Sequence, residues 1–132
     1  MRTPEYRARR SELTARLVAT GTFYERGWHI SPKAGTVYFM SSWEEDRWNE
    51  LDRDPTVTTY KRPGLYLPYE WEGHTRHYVP DVLITYTFGM VLEEIKPRRI
   101  AERDPRTKAK LAAGAACALS QGWAWNVYLR DK

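Results

Sequence analysis

Cysteine is almost missing from this chain, with Cys117 the only one in 132 residues. A lone thiol closes no internal disulfide and builds no cysteine zinc site, so the fold must rest on its apolar core. Its setting, the small-residue run "LAAGAACALS", reads as a packed thiol in a helix and points to a reducing cytoplasm. Long apolar runs are also missing: no stretch of about 18 residues is fit to span a bilayer, and no charged-then-apolar leader opens the chain. The expectation is a soluble, cytoplasmic protein with no membrane partner. Histidine is scarce, and His74 and His77, in a turn and on a strand, read as surface or hydrogen-bonded residues rather than as ligands. Internal repeats and low-complexity stretches are absent as well, which removes solenoids and arrays.

What is present suits one ordinary domain over residues 1–132. Apolar residues make up 42% and aromatics 14%, enough for a core at this length without metal or disulfide staples. The formal charge of +4 is compatible with a polyanionic partner and does not demand one.

Periodicity and punctuation give the organisation. Thr3 as cap and Pro4 as first helical residue, followed by Tyr6, Leu13 and Leu17, predict a helix that stops at Gly21. Gly27, Pro32 and Gly35 among aromatics make residues 23–40 a loop or short hairpin, closing an N-terminal extension over 1–40. In "SSWEEDRWNELD" either serine can cap a second helix, Ser41 with Glu44 or Ser42 with Glu45 closing a capping box. Strands follow in "TVTTY" and "LYLPYEW", then, after the turn "WEGH", in a long strand from Thr75 to Tyr86. The turn "TFGM" folds the chain back into Val91–Ile95, giving an antiparallel meander. A last helix, "TKAKLAAGAACALSQ", ends at Gly122 and leads to the strand "WAWNVYL". The expected order is α-α-β-β-β-β-α-β, with the core over 41–132.

Charges sit oddly in "YVPDVLITYTFGMVLEEIKP". On a strand Glu94 and Lys96 share one face while Glu93 and Ile95 take the other, and the tight turn brings Asp81 into register with Glu94. Two carboxylates side by side repel unless a divalent cation lies between them, and hard oxygen ligands suit Mg²⁺. A lysine beside such an ion can hold or help deprotonate a water and offset phosphate charge, as phosphodiester hydrolysis requires. Each residue alone has an ordinary explanation, as a strand-edge aspartate, a solvated Glu/Lys face or a capping glutamate. The joint pattern carries the inference.

Pro80-Asp81 followed by Glu94-Ile95-Lys96 resembles the signature of the PD-(D/E)XK nuclease superfamily. The stretch from Ser41 to Pro97, with a serine, a helix glutamate, "DPTV" and "YVPD" in that order, resembles TnsA-like transposon endonucleases and related phage endonucleases. The resemblance implies a restriction-endonuclease-like α/β core, a mixed four- to five-stranded sheet flanked by helices. It implies a metal-dependent DNA endonuclease that leaves a 5′-phosphate. Asp81, Glu94 and the Ile95 carbonyl would bind Mg²⁺, with Mn²⁺ able to substitute, and Lys96 would orient the attacking water. A helix acid would bind a second ion or the water network. Between Glu44 and Glu45, helical geometry favours Glu44, which shares a stripe with Trp48 and Leu51.

Beyond the motif, "KPRRIAERDPRTKAK" offers Arg98, Arg99, Arg106, Lys108 and Lys110 to DNA phosphates, against an ordinary solvated face pairing with Glu102 and Asp104. Lys110 stands out because relatives often carry a polar residue there. No base-reading motif accompanies the site, so targeting would come from DNA structure, a homodimer or a targeting protein. Phage or mobile-element DNA processing, by transposon end cleavage or branched-DNA resolution, fits this expectation. The competing reading is a non-catalytic nucleic-acid-binding or assembly module on the same fold.

Overall fold

The structure, a computed structural model, describes residues 26–130. The helix expected over 3–21 lies outside the described residues.

A four-stranded mixed sheet forms the centre, in the order β3-β6-β7-β8, from β3 (Val57–Lys61), β6 (Val82–Tyr86), β7 (Gly89–Pro97) and β8 (Ala124–Arg130). Three of these strands are antiparallel neighbours, and β8 runs parallel to β7 from Val91↔Ala124 to Pro97↔Arg130. A parallel return needs a crossover. Helices α2 (Arg98–Arg103) and α3 (Pro105–Gln121) supply it, and α3 stops at Gly122, whose φ of 77° is the left-handed helix end that glycine adopts without strain.

Helix α1 (Ser42–Arg53) covers one face of the sheet. Trp48 and Leu51 pack there with Val57 and Tyr60 of β3, Val82 and Ile84 of β6, and Ile95 of β7. Helix α3 covers the other face through Ala118 against Leu83 and Leu92. Its approach is close at Gly114, where a Cβ would stand 2.3 Å from the Trp125 ring. Cys117 lies half-buried among these contacts as a free thiol.

Two hairpins flank the layers. The first pairs β1 (Gly27–Ser31) with β2 (Gly35–Phe39), so the described part of the stretch expected to be a loop or short hairpin is a hairpin. A hydrogen-bonded cluster fastens it to α1. His29 Nε2 lies 2.7 Å from Asp52 Oδ2, while Ser31 Oγ and Tyr60 OH donate to Asp52 Oδ1 at 2.6 and 2.9 Å. Lys33 Nζ donates to the carbonyls of Leu51 and Asp54, satisfying acceptors at the helix C-terminus.

The second hairpin corrects two expectations. Residues 75–86 are not one strand: β5 (His74–Tyr78) pairs with β4 (Leu67–Trp71) in a separate sheet, and β6 begins anew at Val82. Proline has no N–H to donate to a ladder, and Pro80 sits fully buried at the break. The strands therefore do not form one meander, and β3 pairs with β6 directly.

Candidate functional site

The charges collect where β6 begins and β7 ends. Val82 stands opposite Glu93, which sets Asp81, one residue before β6, across from Glu94. The two acids exchange hydrogen bonds with the backbone: the Asp81 N–H donates to Glu94 Oε1 at 3.1 Å, and the Ile95 N–H donates to Asp81 Oδ2 at 2.8 Å. Lys96 Nζ lies 3.4 Å from Glu94 Oε2. The structure thus brings Asp81, Glu94, Ile95 and Lys96 together, with Asp81 at the head of β6 rather than in mid-strand.

Electrostatics at this cluster are strained. Burial, and next the negative charge of Glu94, push the Asp81 carboxyl up to about 7, against the pull of the Ile95 N–H and Lys96. Tyr78, at the end of β5, adds to it. Its hydroxyl is buried close to Glu94, and burial, then the Glu94 charge, push it well above the ordinary phenol range.

Glu44 is buried on the same helix stripe as Trp48 and Leu51, as expected of the inward-facing acid. Ser41 is the cap: its Oγ accepts from the Glu44 N–H at 3.3 Å, while Glu44 Oε1 reaches back to the Met40 N–H at 2.7 Å. Because α1 lies on the Ile95 face, Glu44 reaches the sheet end from the side opposite Glu94. Arg62, just past β3, links Glu44 to the Asp81 backbone. Its guanidinium pairs with Glu44 and donates to the backbone carbonyls of Tyr38, at 3.2 Å, and Asp81, at 3.4 Å. Burial and the Asp81 charge raise the Glu44 carboxyl, and Arg62 and the Met40 N–H oppose the rise.

Among the described residues no group of three or more His, Cys, Asp or Glu is arranged to hold a metal ion. Asp81 and Glu94 nevertheless fit a hard divalent cation in kind, as two adjacent oxygen donors whose mutual repulsion a cation would relieve. Glu44 does not join them as a third donor while it pairs with Arg62.

The basic run divides. A helix joining parallel β7 and β8 must start at the end where β7 finishes, so the N-terminus of α3 lies at the end of the sheet that carries the site. Lys108 is exposed there, and Lys110 is half-buried between Thr107 and Gly114 on the stripe facing the sheet. Arg106 Nε donates to Tyr69 OH at 3.0 Å, tying α3 to β4. Arg98 lies 3.7 Å from Glu102 on α2, and Arg99 is exposed.

Sequence reading missed Arg62 altogether, since an arginine in "KRPG" carries no periodic or motif signal. Tyr78 stood in the quoted "YVPD" but drew no role, because alternation shows which side a tyrosine faces and not whether its hydroxyl finds a partner.

A mixed sheet with helices on both faces and an Asp, Glu and Lys converging at one end defines a domain with a restriction-endonuclease-like core. The chain belongs to the family described as TnsA-like endonuclease N terminal, whose model matches residues 54–130, more than half of its length. Asp81, Glu94, Lys96 and Arg62 fall within the match and Glu44 precedes it. No individual curated protein matches the chain.

Proposed function

We propose that this protein is a divalent-metal-dependent DNA endonuclease whose active site is Asp81, Glu94 and Lys96. One observation carries the reading: the buried Glu94 and half-buried Asp81 carboxylates face each other at the sheet end with Lys96 as the cation paired there, in a chain of an endonuclease family. A purely structural site would relieve such repulsion, so this arrangement weighs against the non-catalytic module.

Asp81 and Glu94, with the adjoining Ile95 carbonyl, would hold the cation, Mg²⁺ or Mn²⁺. When bound, it supplies Lewis acidity and a water of lowered pKa. Lys96 keeps the Glu94 carboxylate oriented and offers its remaining protons to the attacking water and to the phosphate oxygens. Water adds to phosphorus and loses a proton to solvent, the bond to the 3′-oxygen breaks with its electron pair, and that oxygen takes up a proton, leaving 3′-hydroxyl and 5′-phosphate ends. Glu44, carried on α1 and held by Arg62, borders the site and acts on its water network. Lys108 and Lys110 at the start of α3 meet the DNA backbone, with Arg98, Arg99 and Arg106 contributing charge around them. The role is DNA processing in a phage or mobile element, aided by a homodimer partner or a targeting protein.

Supercoiled plasmid incubated with the purified protein and Mg²⁺ or Mn²⁺ should be nicked or linearised. EDTA, Asp81→Ala and Lys96→Ala should each stop it. Cutting that survives both substitutions would sink the assignment.

A further inference from the structure

We propose that the groove between β2 and β3 is a binding site for an unpaired nucleobase of the DNA, placed beside the scissile phosphate. This rests on the nuclease reading above and adds a preference for DNA that carries unpaired nucleotides at the cut.

The groove encloses about 250 Å³ and is lined by Trp28, Thr36, Tyr38, Tyr60, Lys61 and Arg62. That is smaller than the roughly 300–1,000 Å³ of ordinary ligand cavities and has room for one flat ring system rather than a folded ligand. Trp28 and Tyr38 supply its aromatic surface, and Lys61 and Arg62 its cations. Trp28 packs edge-on against Tyr38, with ring centroids 5.2 Å apart, and remains 67% exposed, so a broad ring surface is left open to solvent. Aromatic faces beside Lys and Arg are what single-stranded nucleic acid uses, the rings stacking bases and the cations following the phosphates.

Position strengthens the case. Arg62 is shared by the groove and the site: it lines the groove, and its guanidinium pairs with Glu44 and donates to the Asp81 carbonyl. A base seated against Trp28 and Tyr38 would therefore have its own backbone next to Arg62, which reaches the Asp81 backbone. The hairpin is a firm support for such a contact, because Ser31, His29 and Lys33 anchor it to α1. A duplex keeps its bases stacked and presents mainly its phosphates, so the groove discriminates in favour of frayed, flapped or branched DNA.

Binding of a fluorescein-labelled single strand and of the matching duplex, measured by anisotropy in EDTA so that nothing is cut, tests this with the full chain. Trp28→Ala should weaken single-strand binding about tenfold and change duplex binding less than about twofold, with Trp28→Phe recovering most of the loss. Melting curves for both variants report on folding. Equal losses on both DNAs, or no loss on either, would overturn the proposal. Unchanged DNA affinity with a lowered melting temperature would also overturn it, leaving Trp28 as a packing residue of the hairpin. Plasmid nicking by the unsubstituted protein separates the two readings: if it cuts while Trp28→Ala binds single strands normally, the groove assignment alone falls, and if it neither binds nor cuts DNA, both fall.

Discussion

Glu93 and Glu94 are neighbours in sequence and both are buried, at 0% and 3% exposure, yet they live under opposite conditions. Glu93 points to the α1 face. Arg47 Nε and Nη2 donate to its two oxygens at 2.8 and 2.9 Å, and Asn126 Nδ2 adds a third bond at 2.7 Å. Arg47 in turn lies 4.3 Å over the Tyr128 ring and 3.2 Å from Glu50, so its charge is enclosed on every side. Burial alone would lower the Arg47 pKa, but the hydrogen bonds and charge of Glu93 more than reverse that. Glu94 points to the other face, where it meets the like charge of Asp81 and has only the Asp81 N–H at 3.1 Å and a lysine at a loose 3.4 Å to set against it among the described residues. A satisfied buried charge holds a fold together. One left short of partners is held in readiness for something the protein must bind.

If that contrast is right, substitutions on the two faces should fail in different ways. The largest effect belongs to the unsatisfied side: Glu94→Gln or Asp81→Ala should reduce metal-dependent plasmid nicking by on the order of 10³-fold while the far-ultraviolet spectrum and cooperative melting persist. Next comes the satisfied side. Arg47→Ala strands Glu93 without its charge partner, at a cost of about 3–5 kcal/mol, or a fall on the order of 10–20 °C in melting temperature. Nicking per folded molecule should survive it. If Arg47→Ala stopped cutting in fully folded protein, the division between a structural and a chemical face would be wrong. A smaller effect is expected from Gly114→Ala, whose new Cβ meets the Trp125 ring at 2.3 Å and should cost about 1–3 kcal/mol, read by melting.

The same two faces show how far the sequence could be read. Alternation alone put Glu94 and Lys96 on one side of β7 and Glu93 on the other, and helical spacing turned Glu44 inward with Trp48 and Leu51. The last helix and its Gly122 stop were equally plain, because composition and cap act locally. Pairing between strands was not. "HTRHY" and "VLITY" both have strand composition and only the three residues around Pro80 separate them, while nothing in "TVTTY" says that its partner is β6 rather than its neighbour in sequence. Arg62 was hidden for the same reason: its contacts with Glu44, Tyr38 and Asp81 are set by the end of β3 meeting α1 and β2 in space.

The finest test of the comparison uses pH and no catalysis. The Asp81 carboxyl is raised from 3.8 to about 7 by burial and by Glu94, so the folded protein holds this proton more tightly than the unfolded chain does. Stability at this group is greatest at acid pH, where both states are protonated, and declines as pH climbs from about 4 to about 7, because folding then opposes an ionisation the unfolded chain allows. Asp81→Asn removes the ionisation while keeping the shape. In EDTA it should melt a few degrees above the parent protein at pH 8, and the gap should close as pH is lowered to about 4. Divalent cation added at pH 8 should stabilise the parent and leave Asp81→Asn nearly unmoved, since binding to the folded state alone raises its melting temperature. A gap that stayed constant with pH would mean that the asparagine improves packing and that Asp81 is as well satisfied as Glu93.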